Sequence, residues 1–176
     1  MLKRTVLVLV ALCTLGLFAG CKHEAGESEP SLPGTWYSYE VVDRTVERSG
    51  RAVGDIHEYV YTFNADGALT SITNDGETVD SSEWAEDAAV ISRGKFRSVT
   101  LSDDGKVTKF MYYGEDMYDP ENAESFTYTP TENGITVKVG TREFNLTYAG
   151  NGVYTWTEED EDRPGDSETW KFKKAE

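Results

Sequence analysis

From Gly34 onward the apolar side chains fall on alternate positions. Tyr59, Tyr61 and Phe63 alternate with Glu58, Val60 and Thr62. Ile135, Val137 and Val139 alternate with Thr136 and Lys138; Phe144, Leu146 and Tyr148 with Asn145 and Thr147; Trp170 and Phe172 with Lys171 and Lys173. Successive side chains of a strand point to opposite faces, so this alternation predicts half-buried antiparallel strands. Asp66-Gly67, Asp75-Gly76, Asp104-Gly105, Asn133-Gly134 and Asn151-Gly152 lie between such runs. Each pair reaches positive φ at low cost, as tight hairpins require. The pattern predicts strands near 35–43, 57–63, 68–73, 78–84, 88–92, 96–101, 106–113, 124–130, 134–139, 142–149, 152–157 and 168–174. No segment after residue 33 carries a helical stripe, so the domain is read as all-β.

Short strands joined by hairpins form either a sandwich or a closed up-and-down barrel of about 8 to 12 strands. Closure is favoured, because it removes the exposed edges that invite aggregation. The turns of form x₃-[DN]-G at Phe63–Gly67, Leu101–Gly105, Pro130–Gly134 and Tyr148–Gly152 are unequally spaced. They are recurring turn chemistry, not a propeller or solenoid repeat.

The first residues follow a different pattern. Lys3 and Arg4 precede an apolar run from Val6 to Phe18, and the small Ala19-Gly20 pair precedes Cys21. A run this short, at about 1.5 Å per residue, falls well below a hydrocarbon core of roughly 30 Å. It reads as an export signal over residues 1–20, with an ordinary secretory signal and an incidental cysteine as the alternative. Lys22 to Pro33 lacks apolar periodicity and is rich in Glu, Ser, Gly and Pro, which makes residues 21–33 a flexible tether. One domain is left at 34–176.

Charge narrows the partners. Lys3 and Arg4 are the only charged residues of 1–20, so the exported chain carries 15 basic against 32 acidic residues, a net −17. Such a surface repels phosphate backbones, and no nucleic-acid partner is expected. Cys13 leaves with the signal, and lipidation of Cys21 would leave no thiol, hence no disulfide and no cysteine-ligated metal.

The candidate chemistry is sparse. His23 sits in the tether and His57 at a strand start, and no nucleophile elbow accompanies them, so an enzyme is not expected. Glu158 to Asp166 puts six carboxylates in nine residues. Oxygen ligands suit Ca²⁺, but EF-hand spacing is missing, and the run reads as a solvated loop kept extended by its own repulsion, without metal or cofactor. Tyr59, Tyr61, Phe63, Tyr128, Tyr154 and Trp156 are candidate ligand-binding aromatics; the competing reading is that they fill the core.

Two stretches carry resemblances to known families. Leu17-Phe18-Ala19-Gly20-Cys21 resembles the lipoprotein signal of Gram-negative bacteria, which implies acylation of Cys21 (a palmitate-type anchor) and an outer-membrane position, on the periplasmic face or the cell surface. Leu32-Pro33-Gly34-Thr35-Trp36, together with Trp84 to Ile91 read as two strands and a turn, resembles the bacterial lipocalin-like branch of the calycins. The likeness covers most of residues 34–174, but lacks the helix after the barrel and the late Thr-Asp-Tyr-type motif. It implies that Gly34 and Trp36 close one barrel end, with Lys171 or Lys173 over the indole, and that the other end opens to a small apolar or amphiphilic ligand. The alternative is an envelope accessory or inhibitor protein with a filled barrel, whose acidic face meets an unidentified partner.

Overall fold

The computed structural model describes residues 30–49 and 52–176. The export signal, Cys21, His23 and most of the tether lie outside them. The domain is predominantly antiparallel β-sheet. In chain order the strands are β1 Gly34–Ser49, β2 Ala52–Phe63, β3 Leu69–Asn74, β4 Glu77–Thr78, β5 Ser98–Leu101, β6 Val107–Tyr112, β7 Glu115–Asp116, β8 Phe126–Thr131, β9 Gly134–Val139, β10 Arg142–Gly150, β11 Val153–Glu159 and β12 Ser167–Lys174. The sheet runs β4-β3-β2-β1-β12-β11-β10-β9-β8, and a branch of β5, β6 and β7 leaves from β1.

The branch exists because β1 is long enough to serve two partners along one edge. Residues Gly34 to Tyr37 pair with β5, and Glu40 to Ser49 pair with β2, while the opposite edge runs beside β12. The register shifts between Ser38 and Glu40, where the edge changes partner. Bulges of this kind bend and twist a strand.

The closed barrel favoured by the sequence pattern is not what the pairing gives. β8 meets the β5–β6 hairpin at the isolated Lys106–Thr127 bridge and through the Tyr128 N–H donated to Gly105 O at 2.9 Å. No ladder joins them, so the sheet is not closed. Pro130, which lacks an N–H, sits in β8, as suits an edge strand. All the same, one core is shared by every long strand, from Trp36, Val41 and Val99 to Val137, Phe144, Trp156 and Trp170.

Residues 78–84 and 88–92, expected as strands, are mostly helical. α1 spans Ser81–Trp84 and α2 spans Ala88–Lys95. Asp80 caps α1, accepting from the Ser82 N–H at 2.9 Å. Glu83 follows three residues later, a capping-box spacing, and Ala85, Ala88 and Ala89 favour helix. Arg93 and Lys95 sit in the last turn of α2, where cations suit the helix dipole. No residue of either helix is fully buried, so neither has a strong apolar stripe. A further 3₁₀ segment, Pro120–Ser125, is interrupted at Asn122.

Candidate functional site

The inward rows of five strands change from apolar to charged toward one end of the sheet. On β1 the row is Val41 then Asp43; on β10 Leu146, Phe144, Arg142; on β11 Tyr154, Trp156, Glu158; on β12 Phe172, Trp170, Glu168. The row through β5 is Leu101, Val99, Arg97, and every apolar member of these rows is buried. Registry aligns the charged ends: Asp43 pairs with Glu168, and Glu168 with Glu158. Trp36 lies toward the opposite end, 2% exposed, its Nε1–H donated to Leu32 O at 2.8 Å and its ring edge-on to Tyr154.

Half of the charged end is internally paired. Lys95, at the end of α2, donates to Asp43 Oδ2 at 2.7 Å and to Glu168 Oε1, and lies over the Tyr61 ring. Burial acts to lower the Lys95 ammonium, but the two carboxylates outweigh it and hold its pKa above the usual range. Trp170 fixes the same turn by donating Nε1–H to Lys95 O at 2.7 Å.

The other half is not. Arg97 is 1% exposed and, among the described residues, forms no ion pair; Nη1 donates to Phe96 O at 2.9 Å, whereas Nε and Nη2 are buried with no hydrogen-bond partner among those residues. Its Cζ sits 4.4 Å from the Tyr112 ring centre, 4.3 Å from that of Tyr113 and 5.3 Å from Trp170. Arg142 lies against the Tyr112 ring too, at 5.7 Å. Burial raises the Glu158 carboxyl, against the pull of Arg97 and Arg142, yet Glu158 makes an ion pair with neither. Burial likewise lowers Arg97 and raises Tyr112.

Two clefts open beside this group. One, of about 350 Å³, runs between β6 and the β9–β10 turn; Phe110, Tyr112, Met117, Phe126, Val139 and Phe144 line it, with Arg142 at its edge. The second, of about 260 Å³, is bounded by Asp43, Tyr113, Glu158, Arg163, Asp166 and Glu168. The first is apolar with one cation, which is the composition that receives an amphiphile.

The six aromatics proposed from the sequence do not converge on either cleft. Tyr154 and Trp156 are buried core members, Trp156 stacked on Trp170 at 4.4 Å. Phe63 packs on Phe96, and Tyr59 stacks on Tyr61 on the β2 extension. Tyr128 donates its hydroxyl to Ser102 O at 2.8 Å, at the turn between β5 and β6. Nor does Lys171 or Lys173 cover Trp36. Lys171 pairs with Glu40 and Lys173 lies over Tyr37 and Tyr39. Both point away from the face carrying Trp36, whose direct partner in β12 is Lys174. Gly34 has φ +125°, a backbone conformation that residues with a side chain rarely adopt, and this is what calls for glycine there.

The acidic run is folded, not extended. Asp160 accepts from the Asp162 and Arg163 N–H groups, and its own N–H donates to Asp166 O. Asp166 accepts from Val46 N–H at 2.8 Å and from Arg48. Among the described residues no three His, Cys, Asp or Glu side chains are grouped to hold a metal ion. His57 Nδ1 lies 2.9 Å from Asp75 Oδ2, and this carboxylate raises the imidazole pKa.

Arg97, Arg142, Tyr112 and Tyr113 were not singled out from the sequence. The signal was there: Arg97 and Arg142 occupy the parity of Val99 and Phe144, a charge on an inward row. The chain matches no protein-family profile, no curated protein and no solved structure.

Proposed function

We propose that this chain is a lipid-anchored envelope protein whose β domain, a lipocalin-like barrel with one open seam, binds a small apolar or amphiphilic molecule. Anchoring through Cys21 to the outer membrane rests on the export pattern of residues 1–21. The barrel reading rests on the single bridge between Lys106 and Thr127, which brings β8 to the β5–β6 hairpin, and on the core common to all long strands. The observation that carries the ligand reading is the cleft of about 350 Å³ floored by Phe110, Phe126 and Phe144. Its size lies within the usual range for small-molecule sites, roughly 300–1,000 Å³. Met117 on its wall is 42% exposed, an apolar side chain left to solvent unless something covers it.

The test is uptake of an apolar fluorescent probe by the chain from Lys22 onward, which keeps every described residue. Saturable uptake at about one probe per folded chain supports the reading. Uptake only after unfolding would favour the second reading, a domain that works through its surface as an accessory or inhibitor protein. That reading has an observation of its own, the filled interior around Trp36, Trp156 and Trp170.

A further inference from the structure

The amphiphile reading leaves open what charge the ligand carries. An unpaired guanidinium inside a protein is costly, because it has lost its water and gained no acceptor. Arg97 is partly in that position: it is 1% exposed, and although Nη1 donates to Phe96 O, Nε and Nη2 lack a hydrogen-bond partner among the described residues. The fold nevertheless holds it firmly. Its N–H donates to the Ser38 hydroxyl at 2.8 Å, its carbonyl accepts from Ser38 N–H at 2.9 Å, and two adjoining tyrosine rings lie against the guanidinium.

The covering is specific as well. Tyr113 and Gly114 form the two-residue turn between β6 and β7, both at positive φ, 51° and 76°. The hairpins at Asp75-Gly76 and Asn151-Gly152 have the same backbone and place Asp or Asn at the first position, residues that tolerate it. Here a tyrosine, 54% exposed, takes that position and lies on Arg97. Beside it, its ring 4.5 Å from that of Tyr113, Tyr112 lines the apolar cleft and also contacts Arg142.

We propose that Arg97, with Arg142, is the counter-charge for an anionic headgroup, a carboxylate or phosphate, whose alkyl part lies in the cleft lined by Phe110, Met117 and Phe144. The proposal rests on the amphiphile reading and gives its ligand a charge. Nε and Nη2 form the edge of a guanidinium that binds carboxylate or phosphate oxygens two at a time. Admission requires Tyr112 and the Tyr113-Gly114 turn to move aside. Glu158 is the internal competitor, a carboxylate within electrostatic reach of both arginines that makes no ion pair among the described residues. Glu168, also within reach of Arg97, is held by Lys95.

The experiment measures displacement of the apolar probe from the chain beginning at Lys22 by an alkyl alcohol, the alkyl carboxylate and the alkyl phosphate of one chain length. The anions are expected to bind at least about tenfold tighter than the alcohol. Arg97→Met is expected to abolish that difference, leave alcohol binding in place and leave the melting temperature unchanged or higher, since it removes an unpaired buried charge. Glu158→Gln is expected to tighten anion binding. The better of carboxylate and phosphate identifies a fatty-acid-like or a phospholipid-like headgroup. Equal binding of all three ligands, unchanged in Arg97→Met, overturns the proposal and leaves the amphiphile reading standing. Failure of every ligand to bind removes both. Should Arg97→Met not fold, Arg97→Lys, which keeps the charge but not the fork, must reduce the anion preference; an unreduced preference overturns the proposal.

Discussion

Ser38 and Arg97 exchange two hydrogen bonds at the fork of the sheet: Ser38 N–H donates to Arg97 O at 2.9 Å, and Arg97 N–H donates to Ser38 Oγ at 2.8 Å. Ser38 is fully buried, and it sits where β1 exchanges β5 for β2. Ser38→Ala would strand the Arg97 amide without an acceptor. A buried unsatisfied donor costs about 1–3 kcal/mol, and urea titration is expected to show a loss of that size. An unchanged midpoint would mean that the fork does not depend on this hydroxyl.

Trp36 anchors the opposite end. The indole is buried against Tyr154 and hydrogen-bonded to Leu32 O, so Trp36→Ala removes a large packed side chain and leaves that carbonyl without its donor. The expected loss in denaturant titration is about 3–5 kcal/mol. A loss below about 1 kcal/mol would contradict the packing described here.

The β-strands were legible because two local signals agreed. The alternation of Ile135, Val137 and Val139 set a strand, and Asn151-Gly152 set a hairpin whose φ values are 52° and 73°. Residues 81–84 and 88–92 read as strands because of Trp84, Val90 and Ile91, while the helical signal lies in the Asp80–Glu83 cap and the alanines. Tyr113-Gly114 does not read as a turn, since tyrosine is not a turn residue; its ring packs on Arg97 and Tyr112. Of the site, single-strand periodicity places Arg97 and Arg142 on inward rows. Their meeting at Tyr112 depends on pairing between strands far apart in sequence, which periodicity does not contain. That the sheet is not closed is equally a matter of long-range register.

Asp166 ties the acidic loop to β1. The Val46 N–H, and after it Arg48, hold its carboxyl below the usual 3.8. A depressed folded-state pKa adds stability that is present above the unfolded value and is lost as pH falls through the folded one. Asp166→Asn is therefore expected to lower the melting temperature at neutral pH. The gap to wild type should close as pH drops below the ordinary aspartate range. A gap that persists in acid would assign the effect to packing and not to charge.

Cys21→Ala is expected to release the protein from the membrane fraction and to abolish incorporation of a labelled fatty acid. Label that persists in this variant would contradict the anchor.

The central claim is that the cleft beside Tyr112 holds a ligand, and blocking it tests this most directly. Met117→Trp enlarges a side chain that is 42% exposed on the cleft wall and leaves the buried core untouched. Titration of the apolar probe into folded wild type and into Met117→Trp, with melting temperature measured in parallel, is the decisive comparison. The account predicts saturable binding near one to one by wild type, weakened at least about tenfold in the variant at unchanged melting temperature. Equal uptake by both chains, or none by folded wild type, would contradict it.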